Sequence, residues 1–194
     1  NGKVRLCLDP KPLNRALKRV PYCMPTIQDI LPQLQKVKVM SSVDAKEGFF
    51  HCLLDEASSH LTTMETPFGR YRWLRLPFGT SPSPEIFQAK LTSALSGLRG
   101  IACIADDILI FGTGENEQTA TADHNANLHA LLLHCRDRGI KLNRQKLQLN
   151  RRSMIFCGHL LERDGVRPDP RKVEAIIKMP APTDSKGVMR LLGM

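Results

Sequence analysis

Short apolar runs broken by polar turns dominate the chain, and the period of each run decides which element it predicts. Residues 3–9, KVRLCLD, follow an Asn1-Gly2 turn and predict a strand. KPLNRALK and TIQDILPQLQ, residues 11–18 and 26–35, predict short helices, the second interrupted by Pro32. VKVMSSVD predicts a strand ending at Asp44. LTTMETPFGRYRWLRL, residues 61–76, predicts two strands joined by a turn at Pro67 to Gly69, with Tyr71 and Trp73 on one face, placed to pack together. From Ser83 a helix is expected, because Phe87, Leu91, Ala94 and Leu98 recur at helical spacing.

Residues 100–112, GIACIADDILIFG, predict two β-runs meeting at Asp106-Asp107. Residues 121–139 predict a long helix with a buried stripe of Leu128, Leu131, Leu132 and Cys135, stopped by Gly139. MIFCGHLL, residues 154–161, predicts a strand, ERDG a turn, and DPRKVEAIIKM a helix with Pro170 in its first turn. Strands and helices mix without regular βαβ repetition, which makes the fold class α+β. The chain opens without an initiator Met and closes on the amphipathic stretch SKGVMRLLGM, which reads as a segment of a longer polyprotein.

Composition narrows the classes. Apolar residues make up 42% and charged residues 24%, the balance of a folded globular protein. No apolar run approaches the ~20 residues of a membrane span, so no membrane partner is expected. Lys and Arg outnumber Asp and Glu by 28 to 19, a net charge of +9 that suits either a polyanion partner or mere solubility. The six cysteines are scattered without a C-x-x-C pair, and the His residues are unclustered, so neither a disulfide framework nor a zinc site is expected.

The acidic residues carry the chemistry. Asp106 and Asp107 sit between IACIA and ILIF rather than among polar neighbours, and Asp44 also ends an apolar run. Either Asp106-Asp107 is a solvated turn, or three carboxylates meet at corresponding strand ends. The second arrangement is repulsive unless hard divalent cations neutralise it. It points to phosphoryl or nucleotidyl transfer.

The ordered set RLCLDPKPLN, SSVDAKEGFFHCLLDEASSHLTT, TPFGRYRWLRLPFG, PEIFQ, ADDILIFG and FCGHLLERDGVRPDPRKVEAI resembles the reverse transcriptase of gypsy-type long-terminal-repeat retrotransposons. The resemblance implies a right-hand polymerase fold, a palm sheet backed by helices. It assigns residues 1–43 and 53–80 to fingers and fingers/palm, 44–52 and 81–150 to palm, and 151–194 to a primer-grip hairpin and the start of the thumb or connection. It implies two Mg2+ ions, with Mn2+ as a substitute, held by Asp44, Asp106 and Asp107 with the Ala45 carbonyl. Substrates would be deoxynucleoside triphosphates and a primed RNA or DNA template. Arg5 would contact the incoming triphosphate, and Phe49 would exclude a ribose 2′-hydroxyl. Phe78, Gly79 and Gln88 would line the nucleotide site, while Ile104, Gly158 and His159 would meet the primer. Lys141 and Lys146 are either cations near the pyrophosphate or solvated charges. The implied location is intracellular, a cytoplasmic particle or the nucleus, and a parent polyprotein would carry ribonuclease H outside this segment.

The chain departs from the family pattern at Ile104, where an aromatic, most often Tyr, is usual two residues before the doublet. HCLL at 51–54, Leu147 and Leu149 also depart from it. These departures favour a second reading, a catalytically silent, retrotransposon-derived fragment that binds nucleic acid. An RNA-templated RNA polymerase shares the metal logic, but the bulk of Phe49 argues against ribonucleotides.

Overall fold

The structure, a computed structural model, describes residues 6–19, 21–163 and 165–193. The chain divides into two compact units, residues 1–152 and 153–194.

The first unit is organised on a four-stranded antiparallel sheet. Its strands are β1 (Val37–Asp44), β4 (Ile101–Ile104), β5 (Asp107–Thr113) and β6 (Gln148–Arg151), in the order β4-β5-β1-β6. Ile108, Leu109 and Ile110 in β5 are fully buried, as an unbroken apolar run in a central strand requires. The helices α4 (Ser83–Leu95) and α5 (Glu117–Asp137) supply Phe87, Leu91, Leu95, Leu131 and Cys135 to the core that β1 and β5 share. A small hairpin, β2 (Met64–Thr66) and β3 (Gly69–Tyr71), follows the short helix α3 (Glu56–Leu61). Two further short helices, α1 (Lys11–Ala16) and α2 (Ile27–Ile30), precede β1, and Pro32 converts α2 into a 3-10 turn over Leu31–Leu34.

Helix α5 begins at a capping box formed by Asn116 and Thr119, and Gly139, at φ 68°, follows its C-cap. Its buried stripe differs from the expectation at two positions: Leu132 is 49% exposed and Leu128 is only partly buried. Ala120, His124 and Asn127 extend the stripe toward the N-terminus instead. His124 is fully buried because its Nε2 shares a hydrogen bond with Ser41 Oγ at 2.8 Å, and Ser41 Oγ accepts from Asn150 N at 3.0 Å. One polar chain thus ties α5, β1 and β6 together.

Other expectations also need correction. The run at 3–9 gives no strand among its described residues, 6–9; a backbone bond from Leu8 N to Phe78 O, 2.9 Å, holds it. Tyr71 does not pack on Trp73 but stands 52% exposed, while Trp73 stacks on Phe50. The helix predicted through Leu98 stops at Leu95, before Gly97 at φ 84°. The boundary placed between residues 43 and 44 cuts β1 one residue before its end, because that strand pairs with β5 through to Asp44. The boundary at 150/151 likewise cuts β6.

The second unit holds a three-stranded antiparallel sheet, β7 (Met154–Phe156), β8 (His159–Glu162) and β9 (Gly165–Pro168). The strand predicted over 154–161 is therefore a hairpin. Cys157 and Gly158 both take positive φ in the two-residue connection, the requirement of a type I′ turn. The expected ERDG turn joins β8 to β9, with Asp164 outside the described residues. Asp169 caps α6 (Pro170–Ile177) by accepting from Arg171 N at 2.9 Å, which holds its carboxyl below the ordinary range. Helix α7 (Ser185–Leu192) is the last element. No helix among the described residues is long and apolar enough to cross a membrane.

Candidate active site

Asp44 ends β1 and Asp107 begins β5, and the ladder places them directly opposite each other. Side chains at directly opposed antiparallel positions share a face of the sheet. Asp106 occupies the two-residue connection between β4 and β5, in which Ile104 pairs with Asp107. The backbone ties the three positions together, because Ala45 N donates to Asp106 O at 2.8 Å. Asn143 N in turn donates to Asp44 O at 2.9 Å. The three carboxylate-bearing residues predicted from sequence are thus brought to one end of the sheet. The sequence left Asp106-Asp107 open as a solvated turn; both residues are partly buried.

Ala105, preceding the doublet, takes φ 51°, a conformation that a β-carbon disfavours. Gln88 holds it there. This side chain, fully buried on α4, accepts from Ala105 N at 2.5 Å and donates to Thr92 Oγ1 at 3.0 Å and Cys103 O at 3.4 Å. The expectation that Gln88 lines a nucleotide pocket is corrected accordingly. Its amide is consumed in fixing the turn that carries Asp106 and Asp107.

Lys146, in a 3-10 turn before β6, sets its Nζ against Asp44 Oδ2. The hydrogen bond and the charge of Asp44 raise the lysine pKa, with smaller contributions from Asp107 and Asp106. Of the two readings open for Lys146, the geometry favours the site cation. Gly48 belongs to the site although no sequence motif singles it out. A β-carbon there would lie 2.7 Å from Phe87 Cζ and 2.8 Å from Asp106 Oδ1, so this residue has no room for a side chain. The glycine in the KEGFF segment was its only signal.

Phe49, in the 3-10 turn over Gly48–His51, packs its ring 4.7 Å from that of Phe78 and edge-on to Phe87 at 5.7 Å. Phe87 is buried core, and Phe49 and Phe78 are partly buried beside it. Gly79 takes φ 106°, and a β-carbon would fall 1.7 Å from the Leu8 carbonyl oxygen. The close approach that it permits here is to the N-terminal segment. Asn14 clasps the same loop, donating to Gly79 O at 2.9 Å and accepting from Ser81 N at 2.8 Å. Arg5 lies outside the described residues. Ala45 is buried and bridges Leu142, and Ile104 is partly buried at the end of β4. In the second unit, Gly158 is in the type I′ turn and His159 starts β8, sharing a hydrogen bond between Nδ1 and Cys157 O at 3.1 Å.

Oxygen donors on an otherwise apolar sheet suit a hard divalent cation, and Lys146 against Asp44 marks where positive charge is favoured. Among the described residues, no three His, Cys, Asp or Glu side chains are grouped at ion-holding distance. Asp44 and Asp107 are the pair that the ladder opposes, with Asp106 Oδ1 lying toward Gly48.

A family model described as "Reverse transcriptase (RNA-dependent DNA polymerase)" matches residues 1–161. Over 195 residues the chain is 31% identical to the retrovirus-related Pol polyprotein from transposon 297 of Drosophila melanogaster, matching 100% of this chain and 18% of that protein. It is 33% identical over 195 residues to the enzymatic polyprotein of cauliflower mosaic virus (strain Strasbourg), matching 100% of this chain and 28% of that one. The chain thus spans well under a third of either relative. Its fold is similar to that of the foamy viral protease-reverse transcriptase solved in complex with double-stranded DNA. The TM-score is 0.88 at 23% identity, over 100% of this chain and 33% of that one. The foamy viral protease-reverse transcriptase with an RNA/DNA hybrid gives a TM-score of 0.81 at 22% identity, over 95% of this chain and 24% of that one.

Proposed function

The chain belongs to the reverse transcriptase (RNA-dependent DNA polymerase) family, and on that premise we propose that it is the polymerase segment of a gypsy-type retrotransposon polyprotein. The observation that carries this reading is the register of β1 and β5, which sets Asp44 against Asp107 with Asp106 in the adjoining turn. The substrates are deoxynucleoside triphosphates and a primed RNA or DNA template, in keeping with relatives solved on double-stranded DNA and on an RNA/DNA hybrid. The primer 3′-hydroxyl loses its proton and bonds to the α-phosphorus, and the bond from that phosphorus to the β-phosphate oxygen breaks to release pyrophosphate.

Asp44, Asp106 and Asp107, with the Ala45 carbonyl, are the residues that would hold two Mg2+ ions, or Mn2+ in their place. Bound there, the ions supply an activated hydroxyl and charge neutralisation at the leaving group. The protein's own residues position these parts. Gln88 fixes the carboxylate turn, and Lys146 adds positive charge beside Asp44. Phe49, braced by Phe78 and Phe87, presents a rigid ring that rejects a 2′-hydroxyl by steric conflict. Arg5 contacts the triphosphate, Phe78 and Gly79 shape the nucleotide side, and Ile104, Gly158 and His159 meet the primer. Residues 44–52 and 81–150, joined by β1, form the palm. The segments before β1 and over 53–80 belong to the fingers, and the unit from Ser153 is the primer grip and start of the thumb. The retrotransposon relative is consistent with work inside the cell, in a cytoplasmic particle.

Ile104 favours a second reading, a silent fragment that binds nucleic acid, because an aromatic side chain is missing where the primer end would pack. Primer extension on poly-rA with oligo-dT, Mg2+ and dTTP, beside Asp106→Asn, separates the two. Extension that the substitution abolishes supports the polymerase. A folded protein that binds the primed template and adds nothing supports the silent fragment, and Ile104→Tyr then tests whether that one departure is the cause.

A further inference from the structure

The Gly48–His51 turn has a second face, with different chemistry. Phe49 packs on Phe78 and Phe87, while Phe50, edge-on to the same Phe78 at 5.4 Å, also stacks on Trp73 with ring centroids 5.7 Å apart and planes 22° from parallel. Beside that stack lies an open groove of about 600 Å³, whose lining cations are Lys46, Arg72, Arg75 and Lys141. A second open groove of about 490 Å³ shares His51, Arg75 and Gly139 with it and adds Lys90 and Arg138. All six cations are exposed, and Glu47 is the one carboxylate in either lining. Among the described residues, none of the six forms an ion pair.

His51 braces the join. Its Nε2 accepts from Lys141 N at 2.9 Å, which leaves Nδ1–H to donate to Gly48 O at 2.9 Å. Both nitrogens are used within the wall, so the charge of the groove comes from the Lys and Arg side chains. Six like charges with one nearby carboxylate repel each other, and an anion bound along them relieves that repulsion.

We propose that the two adjacent grooves bind the phosphodiester backbone of a single-stranded nucleic acid, along the Phe50 and His51 side of the turn. The inference rests on the polymerase reading for its biological setting. Two features select a strand over a compact polyphosphate. The cations are spread over two adjacent open grooves and come from four parts of the chain: Lys46, Arg72 with Arg75, Lys90, and Arg138 with Lys141. The first groove is also lined by the stacked Phe50 and Trp73 rings, and cations beside aromatics are the combination by which single strands are held without sequence preference. The surface adjoins the carboxylate end of the sheet, since Lys46 lies two residues after Asp44 and its N–H donates to Lys141 O at 2.8 Å.

The test is the salt dependence of binding to a fluorescent oligo-dT, read by anisotropy, for the wild type and for Arg72→Gln/Lys90→Gln/Arg138→Gln. Arg75 stays, because its Nη1 donates to Phe50 O at 2.7 Å and supports the turn. Loss of three phosphate contacts should lower the log–log slope by about 2, at roughly 0.7 per contact on single strands. Affinity at low salt should fall on the order of tenfold or more. The charge-preserving variant Arg72→Lys/Lys90→Arg/Arg138→Lys should keep the wild-type slope, which separates charge from folding. Extension of a primer on a one-nucleotide template overhang should be unchanged in the triple Gln variant.

An unchanged slope in that variant, or a wild type that binds inorganic tripolyphosphate there and no single strand, overturns the proposal. If the wild type extends primers while the slopes match, the groove falls and the polymerase stands. If the slope drops as expected but no primer is extended, the groove stands and the polymerase reading falls.

Discussion

The sheet that bears Asp44 and Asp107 and the sheet of the C-terminal unit make opposite use of apolar sequence. In the first, Ile108, Leu109 and Ile110 are fully buried, and Leu131 and Cys135 of α5 close over the core they share with β1 and β5. In the second, Met154, Phe156 and Leu161 are buried in the strands, whereas the helices leave their apolar residues in view. Ile177 of α6 is 76% exposed and Leu192 of α7 is 75% exposed. A strong apolar stripe records which face a helix would bury, not that the face is buried. Helix α5 shows the converse, with Ala120, His124 and Asn127 among its buried positions. The chemistry follows the same division. Carboxylates can be held in fixed register only where the strands beneath them are pinned, and that is the first unit.

The largest effect should come from removing a carboxylate. Asp107→Asn should reduce primer extension at least about a thousandfold, several kcal/mol of lost charge stabilisation, with little change in folding. His159→Ala in the second unit should cost about tenfold or less, because it would act on primer position rather than on charge. Equal losses in single-turnover rate would remove the contrast between the units.

Stability should divide the same way. Leu131→Ala, at a fully buried site, should cost about 2–5 kcal/mol in urea unfolding. Ile177→Ala, at an exposed one, should stay within about 0.5 kcal/mol. A large cost at Ile177 would mean that the C-terminal helix face is covered in solution.

Gln88→Leu sharpens the comparison within the first unit. It leaves Ala105 N–H and Cys103 O without their side-chain partner, so stability should fall by about 1–3 kcal/mol. Extension should also fall, on the order of tenfold to a hundredfold, through the misplaced turn. Wild-type turnover in a destabilised variant would confine Gln88 to a packing role.

The smallest effect is chemical. Burial pushes the Cys135 thiol up to about 11, whereas Cys23 is exposed. Iodoacetamide at pH 8 should label Cys23 in the folded protein and reach Cys135 only after unfolding, as read by mass spectrometry. Labelling of both at one rate would show that α5 opens readily.

Much of this fold and site is legible in the sequence. The apolar runs flanking Asp106-Asp107 and the run ending at Asp44 identified both strands, because continuous β-prone sequence bounded by turns has few other uses. Helical spacing placed α4, the apolar stripe and Gly139 placed α5, and Pro170 placed the start of α6, since these preferences act locally. The errors came where local pattern competes with distant partners. The segment at 6–9 alternates like a strand yet is held by a backbone bond to Phe78. Trp73 packs on Phe50 rather than on Tyr71, because β3 ends at Tyr71 and the strand predicted through Trp73 does not continue that far.

By itself, the sequence determined the α+β class, the strands that carry the carboxylates, and the ordered motifs that show the family. Those properties depend on residue type and short-range period. Tertiary structure alone decided that Asp44 stands opposite Asp107, and that Gln88 is spent on the turn rather than on a ligand. It also decided that Gly79 makes room for Leu8, and that six cations scattered over ninety-odd residues line two grooves sharing a wall. Register, burial and charge clustering are relations between residues distant in the chain, and no local period encodes them.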